Sequence, residues 1–170
     1  MKLYHVSEEP GIEVFETRHS PQHYNSINEN VVFAISDVML HNYLLPRDCP
    51  RVNFYAKADS TQIDNNTFMR NSKKKYIVNI EESWLERVKQ TALYLYELPI
   101  ETFTLLDEGA GYYISYIAVK PLSVLVVDDL LSEIVKRDVE LRVLSSLKQL
   151  EYEVSNSSLQ FSIIRMRNAV

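Results

Sequence analysis

The chain has 170 residues, of which 46% are hydrophobic and 24% charged, and its formal net charge is −5. The length suits one compact domain with a real core, and the acidic balance argues against nucleic acid as a partner, since such binding needs clustered cations. Cys49 is the only cysteine, which excludes an internal disulfide and a cysteine-based zinc site within one chain. No apolar run is long enough for a membrane span, and Glu8-Glu9 argue against a signal peptide, so we expect a cytoplasmic protein without membrane contact.

The first half of the chain alternates between apolar runs and polar stretches. The predicted strands span residues 2–7, 31–35, 52–56 and 76–80. The polar stretches 17–30 and 57–72 are predicted loops, the first of which is long enough to suggest a functional role. Ser36 stands at the N-cap position of a predicted helix that Pro46 ends.

The clearest predicted helix covers residues 83–96. Ser83 and Glu86 form a capping-box pattern there, and apolar side chains follow at helical spacing. Pro99 ends this helix. The strands predicted after it span residues 103–106, 112–119 and 123–127.

The C-terminal segment is predicted to be mainly helical. Asp128 or Asp129 caps one helix, and Asp138 caps a second, whose predicted inward residues are Val139, Val143, Leu147, Leu150 and Val154. The tail over residues 157–169 is amphipathic and fits a helix or a strand.

These elements together predict the fold class. Strands separated by helices and loops, with hairpin-like spacing at both ends, indicate an α+β domain on a split, largely antiparallel sheet. We expect a single domain over residues 1–170, with a helical insertion near 81–98 and helical additions over 129–170.

His5 is the first candidate for a functional side chain. Alternation along a strand places Leu3 and His5 on one face and Tyr4 and Val6 on the other. An imidazole on a rigid strand beside hydroxyl-bearing residues can titrate, donate a hydrogen bond or bind a ligand. The alternative is a structural histidine whose ring nitrogens are satisfied by hydrogen bonds.

Other polar residues have weaker claims. His19 and His23 lie four apart, but in a polar loop rather than on a helix, so we expect no metal site. His41 is predicted on the solvent-leaning side of its helix. Arg47 and Arg51 belong either to a salt-bridged loop or to an anion site of guanidinium groups, in which Arg47 is the candidate contact to a nucleotide.

Several of these segments together resemble the small ADP-ribosyltransferases, the rifampin ADP-ribosyltransferase family in particular. That family opens with a Tyr-His-Gly-Thr-like strand, and this chain has Tyr4-His5-Val6-Ser7. The second strand of the family is similar to residues 32–36, and its Pro-Leu-x-Val-Val segment with an acidic helix start is similar to residues 121–128. The resemblance covers residues 2–65 and 110–130, and it implies an ADP-ribosyltransferase-like fold with added helices.

The resemblance also implies NAD as cofactor and assigns roles to individual residues. His5 would bond the ribose near the nicotinamide, and Ser7 would reach a ribose or amide group. Phe33 would stack on the nicotinamide ring, where the family prefers Tyr. Asp64, with Asp59 as the alternative, would stabilise the oxocarbenium-like charge of the transition state.

The chain is also similar to an uncharacterised bacterial family that shares its Leu-Tyr-His-Val-Ser opening and the Leu-Pro-Arg-Asp-Cys-Pro-Arg stretch at residues 45–51. Three hypotheses follow. The first is an ADP-ribosyl-transfer-type enzyme or NAD-binding domain. The second is a non-catalytic domain of the same fold that binds a nucleotide, another small molecule or a protein. The third is a self-associating protein whose tyrosines and C-terminal helices form a homodimer surface.

Overall fold

The computed structural model describes residues 1–19 and 27–170 and has an α+β fold with two sheets. In chain order the strands are β1 (Leu3–Ser7), β2 (Val32–Ser36), β3 (Arg51–Tyr55), β4 (Tyr76–Glu81), β5 (Leu93–Leu98), β6 (Thr104–Asp107), β7 (Tyr112–Ser115), β8 (Ser123–Val127), β9 (Val139–Leu144) and β10 (Gln160–Ile164). The α-helices are α1 (Gln62–Asp64), α2 (Leu85–Gln90), α3 (Leu130–Val135) and α4 (Lys148–Ser155). Segments of 3-10 helix cover Asp37–Tyr43, Glu82–Trp84, Ile100–Thr102 and Met166–Asn168, and a π-helical turn covers Asn65–Met69. The predicted α+β class is confirmed.

The chain forms two compact units, each of which contains one of the sheets. The first unit comprises residues 1–40 and 93–127. The second comprises residues 41–92 and 128–170. Each unit therefore combines segments that are distant in sequence, so non-local strand pairing determines both.

The sheet of the first unit is antiparallel, with strand order β6-β7-β2-β1-β5-β8. Strand β1 lies inside this sheet, paired with β2 on one side and with β5 on the other, from Leu3↔Leu98 to Ser7↔Tyr94. The predicted alternation holds, because Leu3 is fully buried in the core on the face that His5 shares. That core consists of Leu3, Phe15, Val32, Ala34, Tyr96, Leu98, Phe103 and Val119.

The sheet of the second unit has the order β10-β3-β4-β9, and β4 and β9 are its parallel pair. Its core consists of Val52, Phe54, Ile77, Leu147, Val154 and Leu159. Glu81, at the end of β4, is fully buried, and its Oε1 accepts hydrogen bonds from the backbone N–H of Leu147 at 3.1 Å and of Val170 at 3.2 Å. A buried carboxylate requires such donors, so Glu81 joins the start of α4 to Val170.

The helix predicted over residues 83–96 is wrong in its second half. Helical structure ends at Gln90, and β5 occupies residues 93–98. The helical insertion expected near residues 81–98 is therefore helical only over residues 82–90, and β5 occupies its second half. β5 pairs with β1 and β8, so its backbone groups find sheet partners on both sides. This tertiary pairing outweighs the helical spacing of the apolar residues.

The C-terminal segment also contains more strand than predicted. Asp138 does not cap a helix: its φ is 55°, and β9 follows it in parallel register with β4. The second helix, α4, starts only at Lys148, and the tail forms β10. The expected cap of the preceding helix is confirmed, because the Asp129 side chain accepts a hydrogen bond from the N–H of Ser132 at 3.0 Å. The additions over 129–170 thus mix helices with sheet strands.

The two predicted loops of the first half have different outcomes. Of the loop over 17–30, residues 20–26, including His23, lie outside the described residues. Beside this gap, Arg18 and Val31 form an isolated antiparallel bridge. The loop predicted over 57–72 contains α1 and the π-helical turn instead, since Thr61 caps a short helical segment there.

Candidate functional site

His5 occupies the centre of the first sheet, and its ring is held by the backbone of the neighbouring strand. Its Nδ1 lies 3.1 Å from the carbonyl oxygen of Phe33, and the side chain is half-buried. A carbonyl only accepts hydrogen bonds, so Nδ1 is the donor. In the neutral ring with its proton on Nδ1, Nε2 is the hydrogen-bond acceptor. The strand and the Phe33 carbonyl together determine the orientation of the imidazole.

Two aromatic rings, those of Phe15 and Tyr96, lie on the same side of the sheet as His5. The His5 and Phe15 ring centroids are 4.5 Å apart, and Phe15 meets the Tyr96 ring edge-on at 5.3 Å. The Tyr96 hydroxyl donates to the carbonyl of Glu9 at 2.8 Å and accepts from the N–H of Ile12 at 3.1 Å. These bonds attach the segment after β1 to the sheet beside His5.

The pairing register adds two hydroxyl-bearing residues to this face. Ser7 follows His5 by two positions and lies opposite Tyr94, and both side chains are half-buried. Ser7 Oγ accepts a hydrogen bond from the N–H of Glu9 at 3.0 Å. We call the set His5, Ser7, Phe15, Tyr94 and Tyr96 the His5 face. It combines a titratable ring, hydroxyl groups and aromatic surface, which suits a ligand with sugar hydroxyls and an aromatic ring.

Phe33 projects to the opposite face of the sheet. Its ring packs with a separate cluster that includes Ile27, Val31, Ile114 and Leu106. Leu3 pairs with Ser36, so Ala34 shares the face of His5, and Phe33, one residue earlier, does not. The structure therefore brings the Phe33 carbonyl to the imidazole and directs the Phe33 ring away from it.

Asp64 lies in the second unit, at the end of α1, where its carboxylate accepts hydrogen bonds from Thr61 and from the distant Ser158. Its Oδ2 accepts from the N–H of Ser158 at 2.8 Å, from Ser158 Oγ at 2.5 Å and from Thr61 Oγ1 at 2.9 Å. The Ser158 side chain, the Ser158 backbone and the Thr61 hydroxyl lower the pKa of Asp64. Asp59, the alternative, is exposed and lies 3.5 Å from Lys57 Nζ.

The two predicted anion-binding arginines differ in exposure. Arg47 is exposed, and its carbonyl accepts a hydrogen bond from Arg165 Nε at 3.2 Å. Arg51 is buried: its guanidinium lies 5.7 Å from the centroid of the Tyr43 ring, and Nη1 donates to the Pro46 carbonyl at 3.4 Å. Of the two predicted anion-binding arginines, Arg47 is therefore the exposed one and Arg51 the buried one.

The second unit also contains a buried polar row that the sequence analysis missed. Asn53 Nδ2 donates to Asn42 Oδ1 at 2.9 Å, and both side chains are buried. His41, predicted to lean toward solvent, is instead 2% exposed and lies 4.4 Å from the Tyr76 ring centroid. Polar residues alternate with Val52 and Phe54 along β3, and this period of two was the signal for a polar face.

The single cysteine has no features of a reactive thiol. Cys49 is buried, and burial raises its pKa to about 12. The thiolate is the nucleophilic form, so a thiol with this pKa is unreactive near neutral pH.

The part of the chain that the structure describes contains neither a metal-binding cluster of side chains nor a helix suited to cross a membrane. Within residues 1–19 and 27–170, no group of three or more His, Cys, Asp or Glu side chains is arranged to hold a metal ion. In the same two ranges, no helix combines the length and the apolar character that crossing a membrane requires.

Comparison with known proteins relates almost the whole chain to one family. Residues 4–169 match the model described as a family of unknown function (DUF6886). No curated protein and no solved structure gave a match. The expected similarity to an uncharacterised family is confirmed, since the family that matches has no known function.

Proposed function

We propose that this chain, which belongs to the DUF6886 family of unknown function, is a nucleotide-binding protein. Its proposed ligand is NAD, and NAD contacts the His5 face. The half-buried imidazole of His5, oriented by the Phe33 carbonyl on an interior strand, is the observation that carries this proposal. Ligand sites need side chains whose orientation is set before binding, and this ring meets that condition.

The chemistry of the His5 face supports a ribose-containing ligand. The polar His5 ring can form hydrogen bonds of the kind that ribose hydroxyls make. Ser7 and Tyr94 supply hydroxyl groups on the same face, and Phe15 lies in contact with the imidazole. An aromatic base or nicotinamide ring packs well against tyrosine and phenylalanine rings. The resemblance of residues 4–7 to small ADP-ribosyltransferases makes NAD the nucleotide of choice.

Binding has more support than catalysis. ADP-ribosyl transfer needs negative charge beside the reacting ribose, and Asp64 was the candidate. Its Oδ2 already accepts hydrogen bonds from Ser158 and Thr61, as a carboxylate in a structural turn does. The Phe33 ring, proposed to stack on the nicotinamide, lies on the other face of the sheet from His5. A non-catalytic NAD-binding domain therefore requires fewer additional assumptions than a transferase.

Calorimetric titration tests the binding site. We expect saturable NAD binding to the wild-type protein and binding weaker by about tenfold, a loss of about 1.4 kcal/mol, for His5→Ala. The matched control is His19→Ala, which removes an exposed imidazole from the same unit and should leave the affinity unchanged. The absence of heat at millimolar NAD, or equal affinities for wild type and His5→Ala, would contradict the proposal.

Nicotinamide release separates binding from catalysis. After incubation of the protein with NAD, chromatography would detect free nicotinamide if the glycosidic bond is cleaved. Release that His5→Ala and Asp64→Asn each abolish would support the transferase hypothesis. Binding without release would support the non-catalytic domain.

A further inference from the structure

Strand β8 is an edge strand with an unusually apolar, exposed surface. It ends the six-stranded sheet and is paired with β5 on its inner side. Val124, Leu125 and Val126 are 51%, 58% and 53% exposed, so apolar side chains reach solvent on both faces of the strand. The outward backbone N–H and C=O groups of such a strand are a template for another strand.

The opposite edge of the same sheet is different. Strand β6 is four residues long, and its register shifts between Leu105 and Asp107. A bulge and a charge are the usual features by which proteins prevent edge-to-edge pairing. The sequence of β8, Ser-Val-Leu-Val-Val, has neither a charged residue nor a proline. The contrast between the two edges indicates that β8, unlike β6, is suited to pair with a further strand.

We propose that β8 pairs in antiparallel orientation with β8 of a second copy of this chain, so that one sheet runs through both copies. Lys120 precedes the strand, and Asp128 and Asp129 follow it. Antiparallel pairing brings Lys120 of one copy to the Asp128 of its partner, whereas parallel pairing would bring like charges together. This charge complementarity selects a second copy as the occupant and sets the direction of the strands.

The same pairing is self-complementary for the apolar side chains. The register that aligns Lys120 with the partner's Asp128 is centred on Val124, and it sets Leu122 opposite the partner's Val126. All of these side chains are exposed in the single chain. A two-fold arrangement covers both β8 edges at once, so the association closes at a dimer.

The dimer is independent of the ligand proposed for the His5 face. Val124 pairs with Tyr96, which places Leu125 on the sheet face opposite to His5. A substitution at Leu125 therefore tests association without changing the His5 face.

Sedimentation velocity over a series of protein concentrations tests the inference. We expect the wild type to shift from the mass of one chain, 19.8 kDa, to twice that mass, without larger species. Leu125→Lys should remain a single chain at concentrations where the wild type is a dimer. The matched control, Leu105→Lys, makes the same change on β6 at a residue that is 52% exposed, and it should still dimerise.

A charge exchange tests the direction of pairing. Lys120→Asp should weaken the dimer, and the double variant Lys120→Asp with Asp128→Lys should restore it. The circular dichroism spectrum of Leu125→Lys shows whether that variant folds. If it does not fold, the two charge variants still test the dimer. Any of three results would overturn the inference. The wild type could stay a single chain, or it could form an open-ended series of larger species. It could also form a dimer that neither Leu125→Lys nor the charge exchange weakens.

Discussion

Gly111 combines a left-handed backbone with a crowded position. Its φ is +70°, and its carbonyl accepts a hydrogen bond from the N–H of Ser36 at 2.9 Å. A Cβ at this position would lie 2.6 Å from Met39 Cγ and 2.6 Å from Ser36 Oγ. Glycine is required here both by the backbone and by packing, and the turn after β6 depends on it.

The contribution of packing can be separated from that of the backbone. Gly11 has nearly the same φ, +71°, but nothing lies within 4 Å of a Cβ built on it. We expect Gly11→Ala to lower the free energy of unfolding by about 1 kcal/mol and Gly111→Ala to lower it by about 3 kcal/mol. Urea unfolding of both variants measures the difference. Equal losses of unfolding free energy in the two variants would show that the Met39 and Ser36 side chains move away from the added Cβ without destabilising the fold.

At the same scale, the site was only partly predictable. The face of His5 within β1 follows from alternation, because the side-chain period of a strand is two. Whether the Phe33 ring lies on the same sheet face as His5 depends on the register between β1 and β2. A shift of one residue would move the Phe33 ring to the other face. No local pattern encodes that register, so the carbonyl of Phe33 as the partner of His5 emerged only from the structure.

At the scale of elements, the turn at α1 depends on one carboxylate. Asp64 accepts hydrogen bonds from Thr61, in its own segment, and from Ser158, which directly precedes Leu159 of the second core. The Asp64 carboxylate thus joins two segments that are far apart in sequence. Its hydrogen bonds favour the ionised form, which is the cause of its lowered pKa.

Asp64→Asn should therefore lower the melting temperature at neutral pH. The pKa of Asp64 is lower in the folded than in the unfolded state. The ionised carboxylate therefore stabilises the fold at pH values above its ordinary pKa of 3.8. This stabilisation is lost as the pH falls through the pKa of the folded state. The difference in melting temperature between wild type and Asp64→Asn should accordingly shrink below pH 3.8. Asp59→Asn, at an exposed carboxylate of the same segment, is the control and should change little. An unchanged melting temperature for Asp64→Asn would mean that these hydrogen bonds contribute nothing to stability.

At the scale of the whole molecule, each unit has its own sheet and its own core. Within each sheet, interior strands have hydrogen-bonded neighbours on both sides, whereas edge strands have one. Local opening therefore costs less at the edges, and amide exchange reports that cost.

Hydrogen exchange at low protein concentration should follow this order. We expect the slowest amides in β1 and β5 of the first sheet and in β3 and β4 of the second, with faster exchange in the edge strands β6 and β10. Exchange measured by mass spectrometry or NMR gives the comparison within each sheet. Exchange in β6 as slow as in β1 would contradict the expected order. In β8, the proposed dimer predicts protection that increases with protein concentration.

The sequence by itself determined the α+β class, the positions of most strands, the cap at Asp129 and the face of His5 within β1. These features depend on short-range patterns such as side-chain alternation and side-chain capping, which neighbouring residues encode. The tertiary structure decided that residues 93–98 and 139–144 are strands, which side of the sheet the Phe33 ring occupies, and that Asp64 bonds Ser158. Each of these depends on a partner far away in the chain, and the free energy of that pairing outweighs local propensity.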